Sequence, residues 1–288
     1  MRVLVTGAKG RLGKRLVRAM SGKYEVRGID RDDADLMEAS DEQLAKLLKG
    51  TGAVIHLAGI LDYGAPDEVI MHINCGATDR LATAAKKVGV KRFVFMSSCS
   101  IWHGNSLPVP ITENTPPSPD SAYGRSKMCA EKAVRESGVP FVIIRAPAIY
   151  GKDFREGFGA VVKLVRKGRM PVIGSGKNRI AFVHVDDVVR AITLAIKTKN
   201  INEDYNVTSG ETLTQEECLR AVAKACGVEP KFLRLPVIVA KIAAFLMGIR
   251  QRYIGELIEN RVFGITKARS LLKYSPKKRI SDGLKGMV

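Results

Sequence analysis

The sequence predicts an α/β fold, a doubly wound parallel sheet followed by a smaller C-terminal subdomain. Short apolar runs rich in Val, Ile and Phe alternate along the chain with segments of helical periodicity. A glycine-rich turn, Thr6-Gly7-Ala8-Lys9-Gly10-Arg11-Leu12-Gly13, separates the first such run from the first helical segment. The length, 288 residues, suits one large α/β domain with a satellite.

The elements follow in order. Val3-Leu4-Val5 reads as the first strand, a helix starts at Arg11, and Glu25 to Ile29 reads as the second strand. Further strands are expected at Ala53 to Leu57, Arg92 to Met96 and Phe141 to Arg145, with room for a helix between each pair; these are five of the six strands that make a complete dinucleotide fold. Prolines at 108, 110, 116, 117 and 119 exclude a helix there and place a loop at the carboxyl edge of the sheet. Beyond Gly151 the pattern turns amphipathic, with helices expected at 159–167, 188–196 and 215–225, the last opened by a Thr214-x-x-Glu217 capping box. Residues 1–151 thus read as the nucleotide-binding domain. Residues 152–288 read mostly as a substrate-binding subdomain, with some segments returning to the first domain. The apolar run 235–249 is interrupted by Lys241 and is shorter than the roughly 20 residues of a membrane span, so it reads as a lid or core helix. A membrane-touching helix is the minority alternative.

Composition narrows the function classes. Charged and apolar residues interleave without low-complexity tracts, as in a globular protein. Met1 leads straight into the first strand with no leader-like segment, which makes a cytoplasmic protein the expectation. Five cysteines without C-x-x-C spacing imply neither a zinc site nor a disulfide framework, and buried reduced thiols are expected. The formal charge of +18 is spread over many short basic groups, among them 166–169 and 277–279. No nucleic-acid-reading module accompanies them, so the excess reads as a solvated surface or as attraction for an anionic substrate.

Gly7, Gly10 and Gly13 permit a tight turn, close approach of the backbone to a pyrophosphate, and close packing of helix on strand. The helix N-terminus, with Arg11 and Leu12 in its first turn, faces the negative charge; this is the pattern of a Rossmann-type dinucleotide site. Asp30 follows 17 residues after Gly13, where a carboxylate accepts from the adenosine ribose hydroxyls and favours NAD. Arg31 and Arg11 could instead hold a 2′-phosphate, which keeps NADP as the alternative. Asp35, ahead of Leu36, stands where a contact with adenine is expected.

Tyr123-Gly124-Arg125-Ser126-Lys127 opens a helix after the proline loop, and i, i+4 spacing sets phenol and ammonium on one face. A neighbouring cation stabilises phenolate and lets the tyrosine exchange a proton with an alcohol or ketone. Ser97-Ser98 ends the strand that begins at Arg92, where ligand chemistry in such sheets collects.

These features resemble the extended short-chain dehydrogenase/reductase family, which includes sugar-nucleotide epimerases, uronate dehydrogenases and 3β-hydroxysteroid dehydrogenase-like enzymes. The resemblance runs almost end to end. It rests on Thr6 to Gly13, His56-Leu57-Ala58-Gly59, Asn74 with Gly76-Ala77-Thr78, Ser97-Ser98, Tyr123 to Lys127, Arg145 to Gly151 and Phe182 to Asp187. It implies Ser98, 25 residues before Tyr123, as the catalytic serine, with Ser97 as fallback. It also implies that Leu57, Ala58, Gly59 and Asn74 line the cofactor, that Lys127 grips the nicotinamide ribose, and that Pro147 lies near the nicotinamide. His56 and His184 are implied to be structural. Cys99-Ser100 replace the Asp-Glu pair of sugar-nucleotide dehydratases, which argues against dehydration, and Ala148 with Ile180-Ala181 replace residues usual in sugar epimerases.

The expectation is an NAD(P)-dependent oxidoreductase or epimerase with Ser98, Tyr123 and Lys127 catalytic. Its substrate would be a secondary alcohol or ketone of a sugar or nucleotide-sugar. A steroid- or isoprenoid-like alcohol dehydrogenase is the first rival, and a non-catalytic cofactor-sensing or RNA-associated protein the second. A homodimer is expected by resemblance; no metal, membrane span or specific nucleic acid is.

Overall fold

A computed structural model of the chain describes residues 1–61, 64–104, 107–154, 158–168, 170–246 and 258–284. Along the chain, β1 (Arg2–Thr6) leads through the glycine turn into α1 (Arg11–Met20) and β2 (Glu25–Ile29). Then come α2 (Asp41–Leu48), β3 (Ala53–His56), α3 (Asp67–Met71), a π-helical turn (His72–Gly76) and α4 (Ala77–Lys87). β4 (Arg92–Ser98) runs into a 3-10 turn (Cys99–Ile101), and the proline loop separates it from α5 (Ala122–Glu136). β5 (Phe141–Ala146) and β6 (Ala148–Tyr150) precede α6 (Phe158–Arg166), β7 (Met170–Ile173), β8 (Arg179–Ile180), β9 (Phe182–His184) and α7 (Val185–Lys197). β10 (Glu203–Asn206), β11 (Leu213–Thr214), α8 (Gln215–Cys226), β12 (Phe232–Leu235) and α9 (Val237–Leu246) follow. Short α10 (Thr266–Ser270) and α11 (Ile280–Leu284) complete the described elements.

Six strands form one parallel sheet in the order β10-β5-β4-β3-β1-β2, the doubly wound arrangement the alternation predicts. The reversal of strand order lies between the neighbouring strands β1 and β3. Both faces are covered, as a parallel sheet requires. On one face Leu4, Val54, Phe93, Phe95 and Ile143 pack under Leu44, Leu48, Leu81, Ala130 and Val134. On the other, Val3, Val5, Ile55, Val94 and Ile144 pack under Leu16 and Met20 of α1, Val188 and Ile192 of α7, and Ala268 and Leu272. A separate core joins Val162, Val165, Met170, Val172, Leu219 and Val222, the packing centre of the C-terminal elements.

The sixth strand comes from 203–206, Glu-Asp-Tyr-Asn, which carries no apolar run. Its register pairs Asp204 with Ile143 and Tyr205 with Ile144. The capping box acts as read, with Thr214 and Glu217 bonded reciprocally on α8, and Ser121 also caps α5 by accepting from the Gly124 N–H at 2.9 Å. The run 235–249 divides at Pro236 into the end of β12 and helix α9, with 247–249 outside the described residues, as is Arg169 of the basic group 166–169. Among the described residues no helix is long and apolar enough to cross a membrane.

One expectation is corrected. Cys75 and Cys129 form a disulfide, with Cα atoms 5.6 Å apart and a sequence separation of 54. The π-helical turn lays Cys75 against α5, a juxtaposition that spacing within a short motif cannot reveal. Cys99 and Cys218 are buried thiols.

Candidate active site

The carboxyl ends of β1 to β5 form one rim, and the sequence motifs lie along it. In the glycine turn, a side chain at Gly13 would put its Cβ 2.2 Å from the Gly7 carbonyl, so only glycine lets α1 start this close to β1. No side chain caps α1 at Gly10 and no acidic residue occupies its first turn, which leaves the helix end electropositive. Across the turn the Asp30 carboxylate accepts from the backbone N–H of Lys9 at 3.0 Å and of Arg31 at 2.9 Å. It is held at the tip of β2 facing the loop. An anionic group between a helix N-terminus and a fixed carboxylate acceptor matches a dinucleotide, pyrophosphate on one side and ribose hydroxyls on the other.

The neighbouring sequence candidates have more local duties. Arg31 pairs with Asp35 at 3.1 Å, and Asp35 also accepts from the Met37 N–H, which holds its pKa below the usual carboxylate range. Leu36 is buried in the core beneath β1. Arg11 lies over the Phe154 ring at 5.5 Å, while Arg15 binds Asp186 at 2.6 Å and Asp153 at 3.2 Å and so locks α1 to α7.

The loop after β3 packs directly against the glycine turn. Thr6 anchors it, accepting from the Ala58 N–H with its hydroxyl and from the Leu57 N–H with its carbonyl. Gly59 lies against Asn74 and Lys127. Asn74, on the π-helical turn, accepts from the Ile60 N–H at 2.7 Å and donates to the Ile60 carbonyl and the Ser126 hydroxyl, each at 3.0 Å. It is buried, and its amide ties this loop to α5. His56 is buried between the Thr6 and Thr78 hydroxyls, and burial pushes its pKa down to about 3, so it stays neutral. His184 caps α7 through the Asp186 N–H.

Ser98 ends β4 beside Ala146 of β5. Its hydroxyl accepts from the Ser100 N–H and donates to the Ser100 hydroxyl, both at 3.1 Å. Ser97, on the opposite face of the strand, donates instead to buried Glu131 at 2.6 Å. Glu131 also holds Arg145 through two bonds of 2.9 and 2.6 Å, and Arg145 reaches Asp204 at 2.5 Å and lies 4.9 Å from the Trp102 ring. The geometry thus assigns the two adjacent hydroxyls to different environments.

Helix α5 begins against the Ser98–Ser100 turn. A Cβ at Gly124 would come 2.2 Å from the Ser100 carbonyl, so this glycine allows the approach that brings Tyr123 to the serine turn. One turn on, Lys127 Nζ donates to the Met96 carbonyl at 3.0 Å and sits 5.8 Å from the Tyr123 ring centroid and 5.0 Å from that of Phe95. Lys127 is 5% exposed, and burial pushes its pKa down to about 8 against the opposing pull of Glu131. The sheet and helix therefore bring a serine hydroxyl, a phenol and a buried ammonium to one edge, next to a dinucleotide-shaped rim.

The residues match a family model, that of the NAD dependent epimerase/dehydratase family, over 3–208. The chain belongs to this family. Nicotinamide dinucleotide is its cofactor, and it is an enzyme. It is 32% identical to the uncharacterized protein y4nL of Sinorhizobium fredii, over 99% of this chain and 94% of that one. It is 27% identical to the UDP-glucose 4-epimerase of Vibrio cholerae, over 98% and 93%. Among solved structures, the UDP-glucuronic acid 4-epimerase from Bacillus cereus in complex with UDP-glucuronic acid and NAD superposes with a TM-score of 0.81 at 25% identity, over 99% of this chain and 97% of that one.

Sequence reasoning missed the segment that reaches the serine turn from the C-terminal side. Arg261 donates to the Cys99 and Trp102 carbonyls at 3.2 and 3.4 Å, and Phe263 packs on Trp102. His103 Nε2 meets Asp120 at 2.9 Å and Glu259 at 3.0 Å. With Arg261 and Cys99 separated by 162 positions in sequence, no periodicity or spacing could have announced the contact. Among the described residues no group of His, Cys, Asp and Glu is arranged to hold a metal ion.

Proposed function

We propose that this enzyme carries out reversible hydride transfer at a secondary alcohol or ketone carbon of a sugar or nucleotide-sugar. The observation that carries it is the buried Lys127 ammonium, held on the Met96 carbonyl beside the Tyr123 ring, on the helix that abuts the Ser98 turn. Tyr123 removes the proton from the substrate hydroxyl in one direction and returns it in the other. Ser98 donates to the substrate oxygen and fixes it against the phenol. Lys127 stabilises negative charge on the phenol oxygen as the proton leaves. When bound, nicotinamide would supply the hydride acceptor or donor at that carbon. Gly7, Gly10, Gly13 and the α1 N-terminus would hold its pyrophosphate, Asp30 the adenosine ribose, and Lys127 the nicotinamide ribose. Ala58, Gly59 and Pro147 would border it.

The Asp30 carboxylate favours NAD over NADP. The epimerase relatives support a nucleotide-sugar substrate, whose anionic diphosphate suits a chain of +18. Pairing of two copies through the α3 and α5 face, where Val69 and Met128 are exposed, belongs to the same reading. So does a cytoplasmic location, where the dinucleotide pool resides. Incubation with UDP-sugars, uronates and hydrophobic alcohols, following nicotinamide absorbance and sugar epimerisation, tests it. Turnover confined to hydrophobic alcohols would overturn the sugar reading.

A further inference from the structure

Helix α9 turns large apolar side chains outward. Val237 and Ala240 pack inward on Ile173 at the end of β7. Ile238, Val239, Ile242, Phe245 and Leu246 point the other way, with Ile238, Phe245 and Leu246 exposed to 73%, 74% and 78%. At 3.6 residues per turn these five fall within a sector about 120° wide, a single stripe. Leu233, in the strand leading into the helix, adds another exposed apolar side chain. A contiguous patch of this kind marks a contact surface.

Charge indicates what the surface contacts. Between Lys224 and Leu246 the sequence has four basic residues and one acidic residue, Glu229. Lys241 borders the stripe on the helix, and Lys231 and Arg234 are exposed just ahead of it. Arg234 pairs with Glu216 at 2.7 Å. An apolar stripe edged by cations complements a surface that is apolar below and anionic above, the headgroup region of an acidic bilayer. A second copy of the chain is a poorer match, because its basic border would face this one with like charge. Ten residues of helix extend about 15 Å, half the hydrocarbon thickness, so α9 can lie in the interface without spanning it.

We propose that the α9 stripe docks this enzyme on the surface of an anionic lipid bilayer. Ile238, Ile242, Phe245 and Leu246 enter the boundary between headgroups and acyl chains, and Lys231 faces the lipid phosphates. The full chain loaded with NAD is sedimented with vesicles of phosphatidylcholine containing about one quarter phosphatidylglycerol, and with phosphatidylcholine alone. The expected result is binding to the acidic vesicles that weakens about tenfold on raising salt from about 0.05 to 0.5 M. Ile242→Ser/Phe245→Ser is expected to bind them about 30-fold more weakly, with NAD affinity unchanged as the sign of an intact fold. Because the single native tryptophan, Trp102, is buried, Phe245→Trp gives a fluorophore that brominated phospholipid should quench. Failure of the wild type to bind acidic vesicles, or equal binding by the double variant, overturns the proposal. So does a wild-type dimer that ignores vesicles and dissociates in the double variant, which would assign the stripe to a second copy.

Discussion

Tyr123 and Phe differ by one oxygen, so Tyr123→Phe separates proton transfer from packing. Turnover should fall by roughly 100-fold to 10,000-fold while NAD affinity stays near that of the wild type. Near-normal turnover in the folded variant would remove the phenol from the chemistry. The Asp30 carboxylate is where the choice between NAD and NADP can be tested. With that carboxylate fixed by two backbone N–H groups, NAD should bind more tightly than NADP, and titration of Asp30→Ala should show that gap narrowed. Lys127 leaves a signature in stability. Its folded pKa of about 8 lies below the ordinary lysine value of 10.5, so between those values the unfolded chain binds more protons and wild-type stability rises with pH. Below pH 8 the cost of burying the ammonium is fully present. Lys127→Met lacks that cost, so without cofactor it should be more stable than wild type at pH 7, by about 1 to 3 kcal/mol, and the advantage should shrink by pH 10. Urea unfolding of both proteins at the two pH values measures it, and a constant difference would contradict the burial argument.

At the level of elements, what the sequence made legible was local. The glycine turn, the α8 capping box and the Tyr123/Lys127 pair each depend on residues within one or two turns of each other, and each is found where its spacing implies. β10 was not legible. Glu-Asp-Tyr-Asn has no apolar run, and it enters the sheet because its charges are matched from distant segments: Glu203 by Lys267 at 2.8 Å, Asp204 by Arg145 and by Arg135 at 3.2 Å. The same blindness applies to Arg261 above the serine turn and to the disulfide between the π-helical turn and α5. That bond closes a loop of 54 residues in sequence, for which chain entropy gives a stabilisation of about 4 kcal/mol. Dithiothreitol should therefore lower the melting temperature by roughly 4 to 10 °C in wild type and leave a Cys75→Ser/Cys129→Ser protein unmoved. Equal sensitivity of the two proteins in calorimetry would show that the bond adds nothing to stability.

For the molecule as a whole, the question is whether the nucleotide-binding half can stand without the rest. Residues 1–151 supply five of the six sheet strands and all the side chains that cover one face, from Leu4 to Ile143. The other face depends on residues far beyond 151: Val188, Ala191, Ile192 and Ala195 of α7, Tyr205 and Val207 at β10, and Ile265, Ala268, Leu272 and Tyr274 near the C-terminus. Polar contacts reinforce this return of the chain. Buried Asp187 accepts from the Lys277 and Lys278 N–H groups at 3.0 Å, and the Tyr274 hydroxyl donates to the Thr208 carbonyl at 2.8 Å. A fragment ending at 151 would keep the glycine turn, Ser98, Tyr123 and Lys127 while leaving Val3, Val5, Ile55, Val94 and Ile144 without the α7 cover. Each such side chain is worth roughly 1.5 to 3 kcal/mol when buried, against a net stability for whole proteins of about 5 to 15 kcal/mol. The fragment should therefore lack a cooperative urea transition, bind a hydrophobic dye and fail to bind NAD, and adding residues 152–288 as a second polypeptide should restore all three properties at least in part. A sigmoidal transition with NAD binding in the isolated fragment would show instead that β1 to β5 form a self-sufficient unit and that the returning segments only decorate it.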